Sequence, residues 1–376
     1  MKLGIIRLYS GESGKLGYYN IQELGLAKAL AKKGVNTDIF FLVGSKQSKD
    51  IIINEISDQI RIIHIPSKKI FNHGIISPKF ILEYRIDVVH LLSDNQLMVP
   101  SFIKFCKKNK IPVYNYIGTI TSDTNKKIKK IIMGILAKRN IKYFKNSKVI
   151  VKTKTVEKQL LDKGVNNVNI IPVGLDLNII PQINSTKNEI RNELGISIEK
   201  RVLIFVGRLE EYKKPAKAVE LINELKKMNN DYLLIIIGDG SLKDRILNLI
   251  REYRLESNVT YIDKIENYKI HKYYKASDIF VNFNDNEIFG MSVLEAMYQK
   301  CNVIAINAPG PNYIINNGVD GIIVNNFKID KWIEAIEENF DNHVMAEAAK
   351  NKIINYFNWD NISDEYIQLF NSLEGE

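Results

Sequence analysis

Two carboxylates frame the most chemically suggestive stretch of this sequence. Glu287 and Glu295 flank Phe289-Gly290 in Asn284-Asp285-Asn286-Glu287-Ile288-Phe289-Gly290-Met291-Ser292-Val293-Leu294-Glu295-Ala296-Met297. An apolar strand pattern runs out at Phe283 and a helical one starts near Gly290. The free N–H groups of such a helix start suit a phosphate. Glu287 precedes the helix and Glu295 lies more than one turn inside it, a spacing that lets both border one ligand, while Val293, Leu294 and Met297 read as core. A lone glutamate is more often a surface residue; a pair placed around a helix start at a strand end outweighs that reading. Farther back, Gly207-Arg208-Leu209-Glu210-Glu211-Tyr212-Lys213-Lys214-Pro215 follows another apolar run. Pro215 fits the first turn of a helix, so Arg208 and Lys213 project from the loop before it. A planar guanidinium and an ammonium together suit a diphosphate. Gly238-Asp239-Gly240 ends a third run, with Ser241 as a helix cap. Such glycines allow a base or ribose to approach the backbone.

These loops need strands and helices to hold them. In the second half the runs 201–207, 232–238, 259–262, 278–283 and 302–306 are almost continuously apolar, separated by helical patterns at 215–228, 241–254, 267–276 and 290–300. Such runs fit parallel strands covered on both faces. The first half alternates in the same way, with strand candidates at 3–8, 37–43, 60–65, 87–92, 112–117 and 148–152 and helix candidates at 20–33, 101–109, 126–139 and 153–163. The expected fold class is α/β: two doubly wound Rossmann-like domains facing a central cleft. Pro172, Gly174, Pro181 and the polar stretch 184–188 mark the joint, giving an acceptor-binding domain over 1–178 and a donor-binding domain over 179–356.

The whole chain limits the alternatives. Its 376 residues suffice for two cores. Cys106 and Cys301 lie in different halves without nearby Cys or His partners, which argues against a zinc cluster or a disulfide framework and for a reducing cytoplasm. No apolar run approaches a membrane span, and the first residues read as a buried strand rather than a leader. Richness in Ile, Lys and Asn suggests an A+T-rich bacterial source. Residues 1–175 carry 30 basic against 12 acidic side chains, and the remainder 23 against 31. The halves therefore face different partners. No nucleic-acid motif appears. Residues 126–148 hold nine Lys or Arg and no acid, interleaved with Ile128, Ile131, Ile132, Ile135, Leu136 and Phe144. A helix of this kind either buries its apolar side in the core or lies on an anionic membrane; the basic balance of the first half favours peripheral contact with the inner face of a cell membrane through Lys126–Lys148.

The loops G-R-L…K, G-D-G and E-x-F-G-x-x-x-x-E-A resemble the retaining GT-B glycosyltransferases of family 4, and the likeness extends over most of the chain. Residues 149–176 resemble that family's interdomain passage, and Asn358-Trp359-Asp360…Tyr366 its closing helix, which implies that 357–376 packs back on the first domain. The resemblance implies transfer of a sugar, with retention, from a nucleoside diphosphate sugar (UDP favoured) to an acceptor hydroxyl, in the synthesis of bacterial surface polysaccharides or glycoconjugates. The acceptor would be a lipid-linked sugar, a glycan or a protein. Arg208 and Lys213 would hold the diphosphate, Glu287 the transferred sugar and Glu295 the ribose. Amides around Ile288, Phe289 and Gly290 would meet the sugar or phosphate, and the backbone at Lys264-Ile265 the base. Gly207 and Gly238 line this donor site.

The sequence also departs from the family pattern. Gly118 stands near the place where the family often carries a histidine, Lys300 and Asn302 replace a small residue and a proline, and Tyr313 stands where Glu is frequent. His90, at a strand end, reads equally as a structural histidine and as an acceptor contact. Gly14-Lys15 is not a P-loop, because Tyr9 and Leu16 occupy required Gly and Ser/Thr positions. The segment Gly11–Gly17 reads instead as a glycine-rich loop whose Gly17 lets it approach the donor phosphate or the acceptor. No Asp-x-Asp motif is present, and no metal or other cofactor is expected, since Arg208, Lys213 and helix-end amides can neutralise a leaving diphosphate. A sugar-nucleotide epimerase of similar fold and a non-catalytic partner protein are the alternatives.

Overall fold

The structure is a computed structural model and describes residues 1–10, 22–44, 49–120, 127–229 and 231–374. The chain forms two compact units: Met1–Gly174 with Trp359–Glu376, and Leu175–Asn358.

In the first unit the strands are β1 (Lys2–Arg7), β2 (Asn36–Gly44), β3 (Ile52–Ser57), β4 (Ile60–Ile70), β5 (His73–Ile75), β6 (Val88–Leu92), β7 (Val113–Ile117), β8 (Lys148–Val151) and β9 (Val168–Ile170). Its helices are α1 (Gln22–Ala31), α2 (Phe80–Glu83), α3 (Val99–Lys108), α4 (Lys127–Phe144) and α5 (Lys154–Leu161), joined by the C-terminal helix given below. Over the described residues the sheet runs β3-β4-β2-β1-β6-β7-β8-β9, with β5 beside β4. All pairs are parallel except those of β3 and β5 with β4. The central strands are apolar because helices cover them: Ile6, Phe40, Ile63, Val89, Phe102 and Phe144 share one core.

The second unit holds α6 (Lys187–Glu193), β10 (Arg201–Val206), α7 (Pro215–Met228), β11 (Tyr232–Ile237), α8 (Lys243–Glu252), β12 (Val259–Ile262), α9 (Asn267–Ala276), β13 (Ile279–Asn282), α10 (Met291–Tyr298), β14 (Asn302–Ile306), α11 (Pro309–Ile314), β15 (Ile322–Val324), α12 (Ile329–Asn339) and α13 (His343–Tyr356). Its strands, all parallel, run β12-β11-β10-β13-β14-β15. Leu203, Phe205, Leu234, Ile236, Val281 and Ile304 lie in its core. A buried ion pair fixes the base of this sheet. Arg191 donates to Asp278 at 2.6 Å and to the carbonyls of Ala276, Ile198 and Lys200, while Asp278 also accepts the N–H of Val202.

The final helix, α14 (Trp359–Glu374), belongs to the first unit and packs on α1. The contact is close at Gly25, where an added Cβ would lie 2.2 Å from Trp359 Nε1. Lys32 and Lys33 then pair with Asp360 and Asp364.

Candidate functional site

In the second unit β10 lies beside β13, with β11 and β12 on one side and β14 and β15 on the other. This is a topological switch point, where the loops after two neighbouring strands diverge and leave a crevice at their carboxyl ends. The loops concerned are those after β10 and β13, two of the three that the sequence singles out.

After β10, Gly207 and the exposed Arg208 lead into a 3-10 turn over Glu211–Lys213. Lys214 follows in a left-handed conformation, φ 51°, uncommon outside glycine. Two contacts hold it there, an ion pair with Asp285 and the ring of Phe327, 5.0 Å from its ammonium. Pro215 then opens α7. After β13, Asn284 accepts the N–H of Asn286 with its side chain and that of Glu287 with its carbonyl, tightening the loop. Gly290 caps α10 with φ 107°, a conformation that favours glycine. The loop is pinned from outside as well. Gly310 donates to the carbonyl of Glu287 at 2.8 Å, and a Cβ on Gly310 would lie 2.1 Å from the carbonyl oxygen of Phe289.

The two loops join through charge. Lys213 Nζ lies 2.5 Å from Glu287 Oε2, with side chains only 19% and 12% exposed. Asn284 Nδ2 donates to the same carboxylate at 3.0 Å. Tyr212 lies against both cations, its ring 5.2 Å from the Arg208 guanidinium and 5.6 Å from Lys213 Nζ. Burial raises its hydroxyl above the usual range, with Arg208 acting against it. Arg208, Lys213 and Glu287 thus gather around Tyr212, and Ile288, Phe289 and Gly290 follow Glu287 in its loop, with the Phe289 ring buried. Neither Tyr212 nor Asn284, which position these charges, was marked in the sequence; the signal for both was simply membership of a marked loop.

Glu295 is 1% exposed in α10, and the Tyr274 hydroxyl of α9 donates to it at 3.1 Å. Gly207 and Gly238 press together, since a Cβ on Gly238 would lie 1.9 Å from the carbonyl oxygen of Gly207. The site of Lys264 and Ile265 follows β12, separated from β10 by β11. The Lys264 N–H donates to Asp263, whose carboxylate pairs with Lys243 at 2.5 Å and is held below its usual range by that ion pair. Ser241 is not a helix cap: α8 starts at Lys243, and Ser241 donates through both N–H and hydroxyl to Glu210.

In the first unit His90 is 3% exposed, hydrogen-bonded to Tyr114 Oη at 2.9 Å and packed on Tyr116 and Tyr366. Burial, reinforced by Lys152, lowers it to about 3. An uncharged, enclosed ring fits the structural reading of His90. Gly17, with the whole of Gly11–Gly17, lies outside the described residues, as does Lys126. The apolar residues of α4 divide between two faces. Leu136 and Phe144 are buried, whereas Ile131, Ile132 and Ile135 are 64%, 44% and 62% exposed. Among the described residues no helix is long and apolar enough to cross a membrane. Nor does any group of three or more His, Cys, Asp or Glu among them form a metal site.

Residues 186–356, which hold both crevice loops, match the family of glycosyl transferases group 1. This region is a group 1 glycosyltransferase domain. The D-inositol 3-phosphate glycosyltransferase of Corynebacterium aurimucosum is 24% identical over 93% of this chain and 91% of its own. An Escherichia coli relative, UDP-Gal:alpha-D-GlcNAc-diphosphoundecaprenol alpha-1,3-galactosyltransferase, is 31% identical over 54% of each chain. Among solved structures, sucrose-phosphate synthase from Thermosynechococcus elongatus superposes with a TM-score of 0.78 at 19% identity, covering 100% of this chain and 99% of its own. The fold of this glycosyltransferase is GT-B, and the enzyme reading displaces both the epimerase and the non-catalytic alternatives.

Proposed function

We propose that this glycosyltransferase moves a sugar from a UDP-sugar to a hydroxyl of a lipid-linked or other surface-glycan acceptor with retention of anomeric configuration. The observation that carries this is the meeting of Arg208, Lys213 and Glu287 at the switch point of the second unit. Two cations beside a helix start suit a diphosphate, and a carboxylate held by Lys213 and Asn284 suits a sugar hydroxyl.

In the step itself, the bond between the anomeric carbon and the diphosphate oxygen breaks while the acceptor oxygen bonds to the same face. The acceptor proton passes to an oxygen of the leaving phosphate. Arg208 and Lys213 stabilise the negative charge that develops on the diphosphate, the kind of preorganised stabilisation that dominates many enzymes. Glu287 orients the sugar, the amides of Ile288–Gly290 meet its hydroxyls or phosphate, Glu295 takes the ribose, and the backbone at Lys264-Ile265 takes the base. With two side-chain cations on the diphosphate, the step proceeds without a metal ion. Glu287 is not a nucleophile in this scheme, because its carboxylate is occupied by Lys213 and Asn284.

A lipid-linked acceptor fits the exposed Ile131, Ile132 and Ile135 on the basic helix α4, which would rest on an anionic membrane at its cytoplasmic face. It also fits the lipid diphosphate named for the Escherichia coli relative. Surface polysaccharide or glycoconjugate synthesis is the corresponding role. A panel of UDP-, GDP- and ADP-sugars, with anomeric configuration read by NMR, tests the reading: retained product from a UDP-sugar supports it, and an inverted product or a strict GDP or ADP preference overturns those parts.

A further inference from the structure

Two consecutive lysines reach from the loop after β10 to the loop after β13. Lys213 takes Glu287, at 2.5 Å, and Lys214 takes Asp285, two residues earlier in the same loop. A bound donor would treat the two pairs differently. Under the function proposed above, Lys213 meets the diphosphate and Glu287 the sugar, so the donor competes for both partners of the first pair. Neither partner of the second pair has a donor role.

Lys214 holds its place at a conformational cost. Its backbone stands at φ 51° and ψ 49°, where a Cβ crowds the following carbonyl. Glycine adopts this conformation freely. One residue here joins two helical turns: its N–H donates to the Glu211 carbonyl at 3.2 Å, and its carbonyl accepts the N–H of Lys217 at 3.0 Å. A lysine at such a position offers reach that glycine lacks. Its ammonium pairs with Asp285 and lies 5.0 Å from the centre of the Phe327 ring, which packs on the core of the second unit. The side chain therefore ties together the loops after β10, β13 and β15. Lys214 and Asp285 are 27% and 37% exposed, and a pair so open to water adds little to stability. A strained residue that adds little stability points to placement of a neighbour. That neighbour is Lys213, whose stem passes over Gly207, where an added Cβ would lie 3.8 Å from Lys213 Cδ.

We infer that Lys214 is a positioning residue of the donor site: its clasp on Asp285 and Phe327 holds the loop after β10, so that Lys213 reaches the diphosphate when its own pair with Glu287 opens. The inference rests on the donor-site reading given above. It assigns the two pairs different parts, one exchanged with the donor and one kept.

The test is kinetic, on the full chain with the sugar nucleotide it turns over fastest. Lys214→Gly removes the ammonium and the strain together, so the variant should melt near the native temperature. Its kcat/KM for the donor should fall about 10-fold or more, on the scale of a misplaced catalytic group. Asp285→Asn should lose a similar amount, and Lys214→Arg, which keeps the charge and the ring contact, should retain most of the native rate. Coupling decides the matter. In the Lys213→Ala background, Lys214→Gly should cost less than about 2-fold more, because the residue acts through Lys213. A role in the fold alone would cost the same in both backgrounds. Native kcat/KM in Lys214→Gly, or its full loss repeated on top of Lys213→Ala, overturns the inference. If the native chain turns over no donor, or Lys213→Ala does so at the native rate, the donor-site reading fails and the inference fails with it. An impaired Lys213→Ala beside a native Lys214→Gly sinks the inference alone.

Discussion

The Lys213 ammonium lies 2.5 Å from a Glu287 carboxylate oxygen, tying the loop after β10 to the loop after β13. The pair exists because the strand order makes these two strands neighbours, although 74 residues separate the partners. Each partner is mostly shielded from water, so each strongly affects the other's placement.

Lys213→Ala leaves Glu287 with only Asn284, and Glu287→Gln leaves Lys213 without its counter-charge. Each is expected to lower kcat/KM about 100-fold, on the scale of losing one preorganised charge contact. The double variant should fall well short of the product of the two losses, because contacting residues couple. Steady-state kinetics on the four proteins checks this; fully multiplicative losses would show that the residues act independently.

At Gly238 a Cβ would lie 1.9 Å from the Gly207 carbonyl oxygen, with the backbone already at φ 151°. Gly238→Ala must therefore push the loop after β10 away from β11. Donor binding is expected to weaken about 10-fold or more, with a loss of stability of about 1–3 kcal/mol. Nucleotide titration and chemical denaturation separate the two effects.

The Arg191–Asp278 pair is structural, with side chains 5% and 10% exposed. Arg191→Ala would leave the carboxylate buried against Val202 N–H and the Lys187 ammonium alone. A cost of about 3–5 kcal/mol is expected. Urea denaturation measures it, and nucleotide affinity in the surviving folded fraction should be native.

Three histidines make the protein acid-sensitive. Burial, with a contribution from Lys152, lowers His90 to about 3; burial lowers His271 to about 4 and also depresses His64. In the unfolded chain each takes up its proton near the ordinary value of 6.5. The unfolded state thus binds more protons as pH falls from 6.5 towards these folded values, and stability is lost in that window. Each fully depressed histidine contributes a slope approaching 1.4 kcal/mol per pH unit. Denaturation midpoints at neutral and mildly acid pH should show the fall, and His90→Gln or His271→Gln should make it shallower.

Much of this architecture was legible because parallel strands buried on both faces leave continuous apolar runs. RVLIFV and YLLIII are unambiguous, and Pro215 marks the start of α7. Strand β3 escaped notice because its isoleucines are exposed on a hairpin and lie close before the stronger run of β4. Arg208, Lys213 and Glu287 could be picked out by type and position at strand ends. Their mutual contact could not, since it depends on strand order, which periodicity does not encode. For the same reason the partners of Glu287 and Glu295, Lys213 for one and Tyr274 for the other, could not be read from the sequence. His90 shows a further limit: a strand-end histidine looks the same in sequence whether it faces a ligand or a cage of tyrosines.

The direct test of the donor site is turnover of the native chain and Arg208→Ala on the sugar-nucleotide panel. The native protein is predicted to release UDP from a UDP-sugar, and the exposed Arg208→Ala to fold normally while losing about 100-fold or more in rate. No turnover or nucleotide binding by the native chain, or an unimpaired Arg208→Ala, would contradict the assignment.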